Sequence, residues 1–523
     1  MLIEVAVIGG IVFAAYAASQ PPAVPTLGRL YDDVVYLSVG KSIADGHGYR
    51  SAQLVGTPVH AKFPPLLPAV YALGWATFGS LDAVAEMAVW LNVAVSAACA
   101  TLLWWLARHE LQIEPVFAAL FVIVPLLTDR TMFYFTGAAS EPWMLLGWVS
   151  ALLLVRRLTR VARDSRSAAL TAVALGLTLA ATSLARTQAV AIAAAVLVAL
   201  CVSRVGARVV LLAVVAAVVP LAMWTIWHGA MVAHGPLSPL PDQRSYLTWI
   251  PTNSLGAFTR FAVAMARTSV PLYWSNTADL LVGWVSAKTL LLAAAFVAPG
   301  LVGTGMLARG FPAMAASLGA TLGVLAIWPY VQDRFLTPVL PVLGVAGAFA
   351  VSRILVRRPT VVRRGAIAGV ALVTIALAAQ NARLRVASAQ GSLRSPYARA
   401  MTEIVNWVER NTPANDHIMM ASGGVVYLRT GRRTSISNPE EPTLGARVLD
   451  EPYRFYATRL LADSVDHVII WDRAPGRAAA WLRALGGRCP GALVEVARTA
   501  SDVHYYRVRR DLACVVQLAR LDG

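Results

Sequence analysis

Asp32 and Asp33 stand side by side at the head of LYDDVVYLSVGKSIADGHGYR, residues 30–50. Paired acids there can do two jobs: accept backbone N–H bonds as a helix cap, or, partly desolvated, take a proton from an incoming hydroxyl. Val35, Val39 and Ile43 recur one helical turn apart behind them, which predicts a helix with one face along the membrane surface. Lys62 comes just before Pro64 and Pro65, which fix the first turn of a second surface helix and aim the preceding cation. Such a lysine binds a phosphate or snorkels to headgroups. Glu141, followed by Pro142, opens another helix, where it satisfies the helix N-terminus or touches a substrate. Arg186 sits between two apolar runs with almost no loop, a costly place for a charge and so a functional candidate. Arg334 begins a further run beside Asp333; either these two pair at the surface, or Arg334 joins Arg186 and Lys62 in holding a phosphate.

A membrane scaffold must hold these positions. The chain has 523 residues, 57% hydrophobic and 14% charged, with a mean hydropathy of +0.61, too apolar for a water-soluble enzyme of this size. Apolar runs recur to about Gln380, long enough to cross roughly 30 Å of hydrocarbon as helices. We read about eleven spans, at 3–20, 83–107, 115–128, 141–155, 168–185, 188–203, 209–228, 279–306, 311–328, 336–352 and 365–380. The charge of +17 does not point to nucleic acid, because the arginines gather in short segments between apolar runs. Arg156, Arg157, Arg160, Arg163 and Arg166 form one cluster, Arg204 and Arg208 another, and Arg353, Arg357, Arg358, Arg363 and Arg364 a third. Eleven spans place all three in the cytoplasm, leaving 21–82, 129–140, 229–278 and everything after about 381 outside. All the chemical candidates fall on that outer face. The opening MLIEVAVIGGIVFAAYAAS ends in small residues like a signal sequence but lacks a basic n-region, so we read it as a retained helix. Trp224, Trp227, Tyr273, Trp274, Trp328 and Tyr330 fall at outer boundaries and read as belt residues. His47, His60, His228 and His234 read as solvated or capping.

After Asn381 the composition changes. SPYARAMTEIVNWVERNT and PYRFYATRLLADS read as helices, and HIMMAS, DHVIIWD, ALVEVA and HYYRVR as strands. That predicts a small outer α/β domain over 381–523 beside a transmembrane domain over 1–380. Cys489 and Cys514 in the former are free to form a disulfide outside the cytoplasm, whereas Cys99 and Cys201 lie in apolar runs as packing residues. YLRTGRRTSISNPEEP reads as a solvated loop, although its arginines also suit an anionic or sugar-rich ligand. No Cys/His spacing predicts zinc, and no internal repeat is visible.

The order of these features carries a resemblance. An outer acidic pair, a surface helix followed by glycine, Lys62 before two prolines, S-E-P at 140–142, the embedded Arg186, and R-F-L-x-P-x-x-P at 334–341 resemble the membrane-bound GT-C glycosyltransferases. Among them the chain is similar to the polyprenyl-phosphate-sugar-dependent branch, with the aminoarabinose transferases and protein O-mannosyltransferases, over roughly residues 1–380. The resemblance implies a mostly α, polytopic fold whose first outer loop carries two surface helices over a membrane-facing cavity. It implies a lipid-linked sugar donor, an acceptor hydroxyl on a lipid, glycan or protein, and work on the outer face of the cell membrane among membrane lipids. It makes Asp32 the general base and puts Asp33 where relatives often carry Glu. Lys62, Arg186 and Arg334 become ligands of the donor phosphate, and Glu141 a substrate-binding residue. No metal or other cofactor is expected, although some members bind a divalent cation and Asp32, Asp33 and Glu141 offer oxygens for one. Two rival classes remain: a transporter or flippase of lipid-linked sugars, and a membrane protein that binds glycan without reacting. Candidates gathered at one boundary, with no visible inverted repeat, favour the enzyme.

Overall fold

The computed structural model describes residues 2–19, 27–30, 32–161, 165–203, 205–237, 250–251, 253–392, 395–420, 423–436, 452–473 and 478–520. Arg163, Arg204 and residues 437–451, which include the SNPEEP of the expected arginine loop, lie outside the described residues. Inside hydrocarbon only a helix pairs its backbone groups within one segment, so the apolar runs fold as helices. Among the described residues six are long and apolar enough to cross a membrane: Leu81–Glu110, Arg166–Ala185, Ala207–His234, Ala287–Gly310, Val339–Val356 and Thr360–Arg385. The pair Pro115–Leu126 and Asp129–Thr136, bent by 56°, adds a seventh if it is one span. The eleven expected spans therefore include shorter helices, such as Ala189–Val202 and Pro312–Ile327.

Two further expectations are corrected. The segment 229–278, expected as an outer loop, contains most of a helix, Leu255–Val282. Arg260, Arg267, Ser269, Ser275 and Asn276 interrupt the apolar run that a hydropathy reading follows. Yet hydroxyls along it bond back to the carbonyl one turn earlier, Thr268 to Ala264 at 3.2 Å and Thr277 to Tyr273 at 2.8 Å, so the helix tolerates them. The span expected at 279–306 is broken in turn. The preceding helix ends at Gly283, with φ +89°, and Ala287–Gly310 starts behind a Ser286–Thr289 capping box.

Near the C-terminus a mixed sheet has the order β2-β1-β3-β5-β4, with β1 Ile418–Met420, β2 Thr434–Ile436, β3 His467–Trp471, β4 Leu493–Arg498 and β5 Val503–Val508. β1 runs parallel to β2 and β3, and β5 antiparallel to β3 and β4. Alternate residues face opposite sides: Met419, Val468 and Ile470 pack with Tyr456, Leu460 and Leu482, whereas Ile418, Met420 and Ile469 pack with Met401 and Ile404. Cys489 and Cys514 form a disulfide with Cα atoms 5.6 Å apart. Cys99 is buried as expected, but Cys201 is exposed on its helix rather than packed.

The second of these cores positions the site. It joins the first-loop helices Asp32–Ala44 and Leu66–Phe78 to one face of the C-terminal sheet. The Asp32 helix does not present its apolar face to a surface: Val35 and Val39 are buried in that core, beside Leu66–Phe78 and the helix Gly423–Thr430. Gly424 permits the approach, since a Cβ there would come 2.9 Å from Val34 Cγ2. Gly424→Val should overpack this contact by about 1–3 kcal/mol, seen as a lower unfolding temperature and reduced turnover. The backbone ties the same parts together. Val55 N donates to Thr434 O at 3.1 Å and Thr434 N to Gln53 O at 2.8 Å, so the loop continues the sheet beyond β2.

Candidate active site

The two acids divide their jobs. Asp33 accepts from Gly28 N at 2.9 Å and from Val34 N at 2.8 Å, which pins the turn ahead of the helix, where Gly28 has φ +83°. Burial pushes its carboxyl up to about 7, against the pull of those two backbone bonds, and the charge of Asp32 adds to the rise. Its ionisation is thus penalised in the folded state, and stability should fall as pH rises from about 4 through about 7. Asp33→Asn keeps one of the two backbone acceptors, lowers stability at every pH by the loss of the other, and should flatten that slope in unfolding temperatures measured across this pH range.

Asp32 takes the other direction, with Oδ2 2.8 Å from Arg334 Nη1. Arg334 Nε lies 3.8 Å from Glu141 Oε1, which lies 2.8 Å from Arg186 Nη1. Four candidates remote in sequence thus form one row of alternating charge, Asp32, Arg334, Glu141, Arg186, with side chains only 8%, 12%, 2% and 8% exposed. The two guanidinium carbons lie 5.1 Å (Arg186) and 5.3 Å (Arg334) from the Phe335 ring centre, a cation–π clamp.

Local structure explains each placement. Arg186 ends the helix Arg166–Ala185 in extended backbone, so its side chain leaves the helix and bonds Ser140 Oγ at 2.7 Å and Gln188 Oε1 at 2.9 Å. Pro142 starts the helix Glu141–Leu158 and aims Glu141 at Arg186. Arg334 lies in the short turn Asp333–Leu336, and its side chain reaches Asp32 and Glu141. Asp333 instead accepts from the Tyr134 hydroxyl at 2.7 Å and from Arg334 N at 2.9 Å.

Lys62 is buried, with Nζ 5.5 Å from the Phe63 ring centre. His60, expected as solvated or capping, is buried and builds this turn. Phe63 N donates to its Nε2 at 3.2 Å, which puts the proton on Nδ1, 2.9 Å from Ser51 Oγ. Burial first, then the charge of Lys62 and the neighbouring His228, pushes this imidazole down to about 3, so it stays neutral. Tyr36 was also missed; its hydroxyl lies 3.3 Å from Ser140 Oγ. Tyr273, Trp328 and Tyr330, expected in an outer belt, are buried, and Trp224 and Trp227 stand edge-on to Tyr49.

Two openings meet at Asp32 and Arg334. One, of about 340 Å³, is walled by Tyr36, Phe63, Pro64, Trp328 and Phe335, with Arg186 and Gln188 among its polar groups. The other, of about 900 Å³, is walled mainly by polar side chains, including Arg29, Tyr134, Asn276, Gln332 and Asp333. An aromatic wall with buried arginines suits a phosphate on an apolar carrier, and a polar wall suits a hydroxyl-rich group. Among the described residues no three His, Cys, Asp or Glu side chains converge as a metal site. Asp32 and Glu141 instead face arginines.

No family profile and no curated protein matches this chain by sequence. Solved structures match it by shape. The ArnT protein of Cupriavidus metallidurans bound to undecaprenyl phosphate superposes with a TM-score of 0.52, at 13% identity over 98% of either chain. The chain has the GT-C fold. The archaeal oligosaccharyltransferase AglB of Archaeoglobus fulgidus, in complex with an inhibitory peptide and a dolichol-phosphate, has a TM-score of 0.52 at 12% identity, over 89% of this chain and 69% of that one. A structure of the Archaeoglobus fulgidus oligosaccharyltransferase tethered with an acceptor peptide has a TM-score of 0.51 at 12% identity over 97% of this chain and 74% of that one. The GT-C likeness thus extends past residue 380, where the sequence resemblance stopped, into the region of the sheet.

Proposed function

We propose that this chain is a glycosyltransferase that moves a sugar from a polyprenyl-phosphate donor to a hydroxyl of a lipid, glycan or protein acceptor, with inversion. The buried row Asp32, Arg334, Glu141, Arg186, set where an aromatic crevice meets a polar one, carries this reading. The donor phosphate sits against Arg334 and Arg186, with Lys62 behind Phe63 adding positive charge, and its prenyl chain leaves along the aromatic wall. The acceptor enters from the polar side. Its hydroxyl proton passes to Asp32 as its oxygen attacks the anomeric carbon. The bond from that carbon to the phosphate oxygen breaks, and its electron pair leaves on polyprenyl phosphate, whose charge the arginines meet. Phosphate departs without a general acid, so one carboxylate suffices.

The reading places residues 1–380 in the cell membrane as a multi-pass unit. The active site and the unit 381–523 then lie outside the cytoplasm, a setting that suits the Cys489–Cys514 disulfide. It assigns no step to a metal, because arginines already neutralise Asp32 and Glu141. Turnover should therefore survive a chelator such as EDTA; activity lost with it and restored by magnesium or manganese would reverse that point. The reading as a whole is tested by incubating the purified protein with polyprenyl-phosphate sugars and measuring free polyprenyl phosphate. The enzyme releases it, whereas a flippase or a binding protein leaves the donor intact.

A further inference from the structure

A second charged crevice, of about 980 Å³, opens at the far end of the Asp32–Ala44 helix. Lys41, Asp45, His47 and Arg50 line it from the first loop, and Tyr427 and Arg433 from the C-terminal region. At about 1.5 Å of rise per residue, Lys41 stands roughly 14 Å along the helix from Asp32. The place is distinct from the acid–arginine row.

Its charges do not cancel. Lys41 Nζ pairs with Asp45 Oδ2 at 2.7 Å, and Asp45 is the one acid lining the crevice among the described residues. Arg50 and Arg433 therefore remain in excess. Arg50 is fixed by donating from Nη1 to Thr57 O at 3.2 Å, a bond that leaves its charge unmatched. Tyr427 stands between opposite charges: burial raises its hydroxyl, Asp45 adds to the rise and Arg433 opposes it. The walls are set by backbone bonds, since the Gln53–Thr434–Val55 ladder holds the loop to β2 beside Arg433. Ser42 Oγ bonding Gly48 O at 2.9 Å fixes the turn after the helix.

We propose that this crevice binds an anionic group, carboxylate or phosphate, on a hydroxyl-rich chain, and so selects an acidic glycan as acceptor. Its place in transfer rests on the function proposed above; the binding itself does not. Both walls belong to different parts of the chain, so the C-terminal region takes part in acceptor choice while the reaction proceeds at the opposite end of one helix.

The full chain, purified in nanodiscs of zwitterionic lipid, is titrated calorimetrically with three oligosaccharides of equal length, one uronate-bearing, one phosphorylated and one neutral. At least one acidic ligand should bind tenfold or more tightly than the neutral one, with an affinity that falls as salt rises. Which acidic ligand binds tells carboxylate from phosphate. Arg433→Glu, at an exposed position, should weaken this binding at least tenfold, and Asp45→Asn, which frees Lys41, should tighten it several-fold. Equal binding of neutral and acidic ligands, or an affinity that neither substitution changes, overturns the proposal. Asp32→Asn should slow transfer by about 10²-fold or more and leave this binding unchanged, so the crevice and the catalytic reading fail separately.

Discussion

Asp32→Asn should lower the rate of sugar transfer by about 10²–10⁴-fold, the usual worth of a positioned general base, while the protein stays folded. The amide is isosteric and still offers Arg334 an oxygen, so the 2.8 Å contact keeps a hydrogen bond after losing its charge. What it cannot do is accept the acceptor's proton. The donor side should respond with the opposite sign. Removing a negative charge beside the arginines favours an anionic ligand, so donor affinity should stay level or tighten as kcat falls. That split between kcat and donor binding, read from steady-state kinetics and donor titration, separates a base from a residue that merely shapes the site. A variant with weakened donor binding and normal kcat would assign Asp32 to positioning.

Arg334→Met should do two kinds of damage. Losing one preorganised charge at the departing phosphate costs about 10²–10³-fold in rate. Losing the link between Asp32 and Glu141 leaves buried acids short of a partner, and breaking such a pair costs on the order of 3–5 kcal/mol of stability. The two effects can be separated. The double variant Asp32→Asn with Arg334→Met removes an acid together with its cation and should regain part of the lost unfolding temperature, without regaining transfer. Melting curves and the release assay read these independently, and a double variant no more stable than Arg334→Met would mean that the row contributes little to the fold.

Individual residue types made the site partly legible before any fold was known. Arg186 was recognisable because a charge between two apolar runs is costly and calls for a reason, and Asp32, Glu141 and Arg334 because each stands where an apolar or amphipathic helix begins. Their order in space was not legible. Nothing in the spacing of positions 32, 141, 186 and 334 tells that Arg334 bridges two acids or that Asp333, its sequence neighbour, turns to Tyr134 instead. His60 and Tyr36 escaped for a related reason: their importance comes from bonds to Phe63, Ser51 and Ser140, partners that a linear pattern does not pair.

The fold divides in the same way. β1, β3, β4 and β5 were readable from the strand-like runs HIMMAS, DHVIIWD, ALVEVA and HYYRVR, but β2, Thr-Ser-Ile preceded by arginines, offered no apolar run. Leu255–Val282 was lost because hydropathy averages penalise Arg260, Arg267 and the other polar side chains along it, among them the Thr268 and Thr277 hydroxyls that bond back to the helix's own carbonyls. The Asp32 helix was recognised as amphipathic and assigned the wrong neighbour. Its periodicity reports that a face is covered without telling whether lipid or the helices Leu66–Phe78 and Gly423–Thr430 cover it.

A single displacement by an acceptor activated at Asp32 is the claim on which the rest depends, and it leaves a stereochemical record. With a polyprenyl-phosphate sugar of known anomeric configuration, NMR of the transferred sugar should show that configuration inverted at C1. Retention at that carbon would require a second displacement and contradict the mechanism.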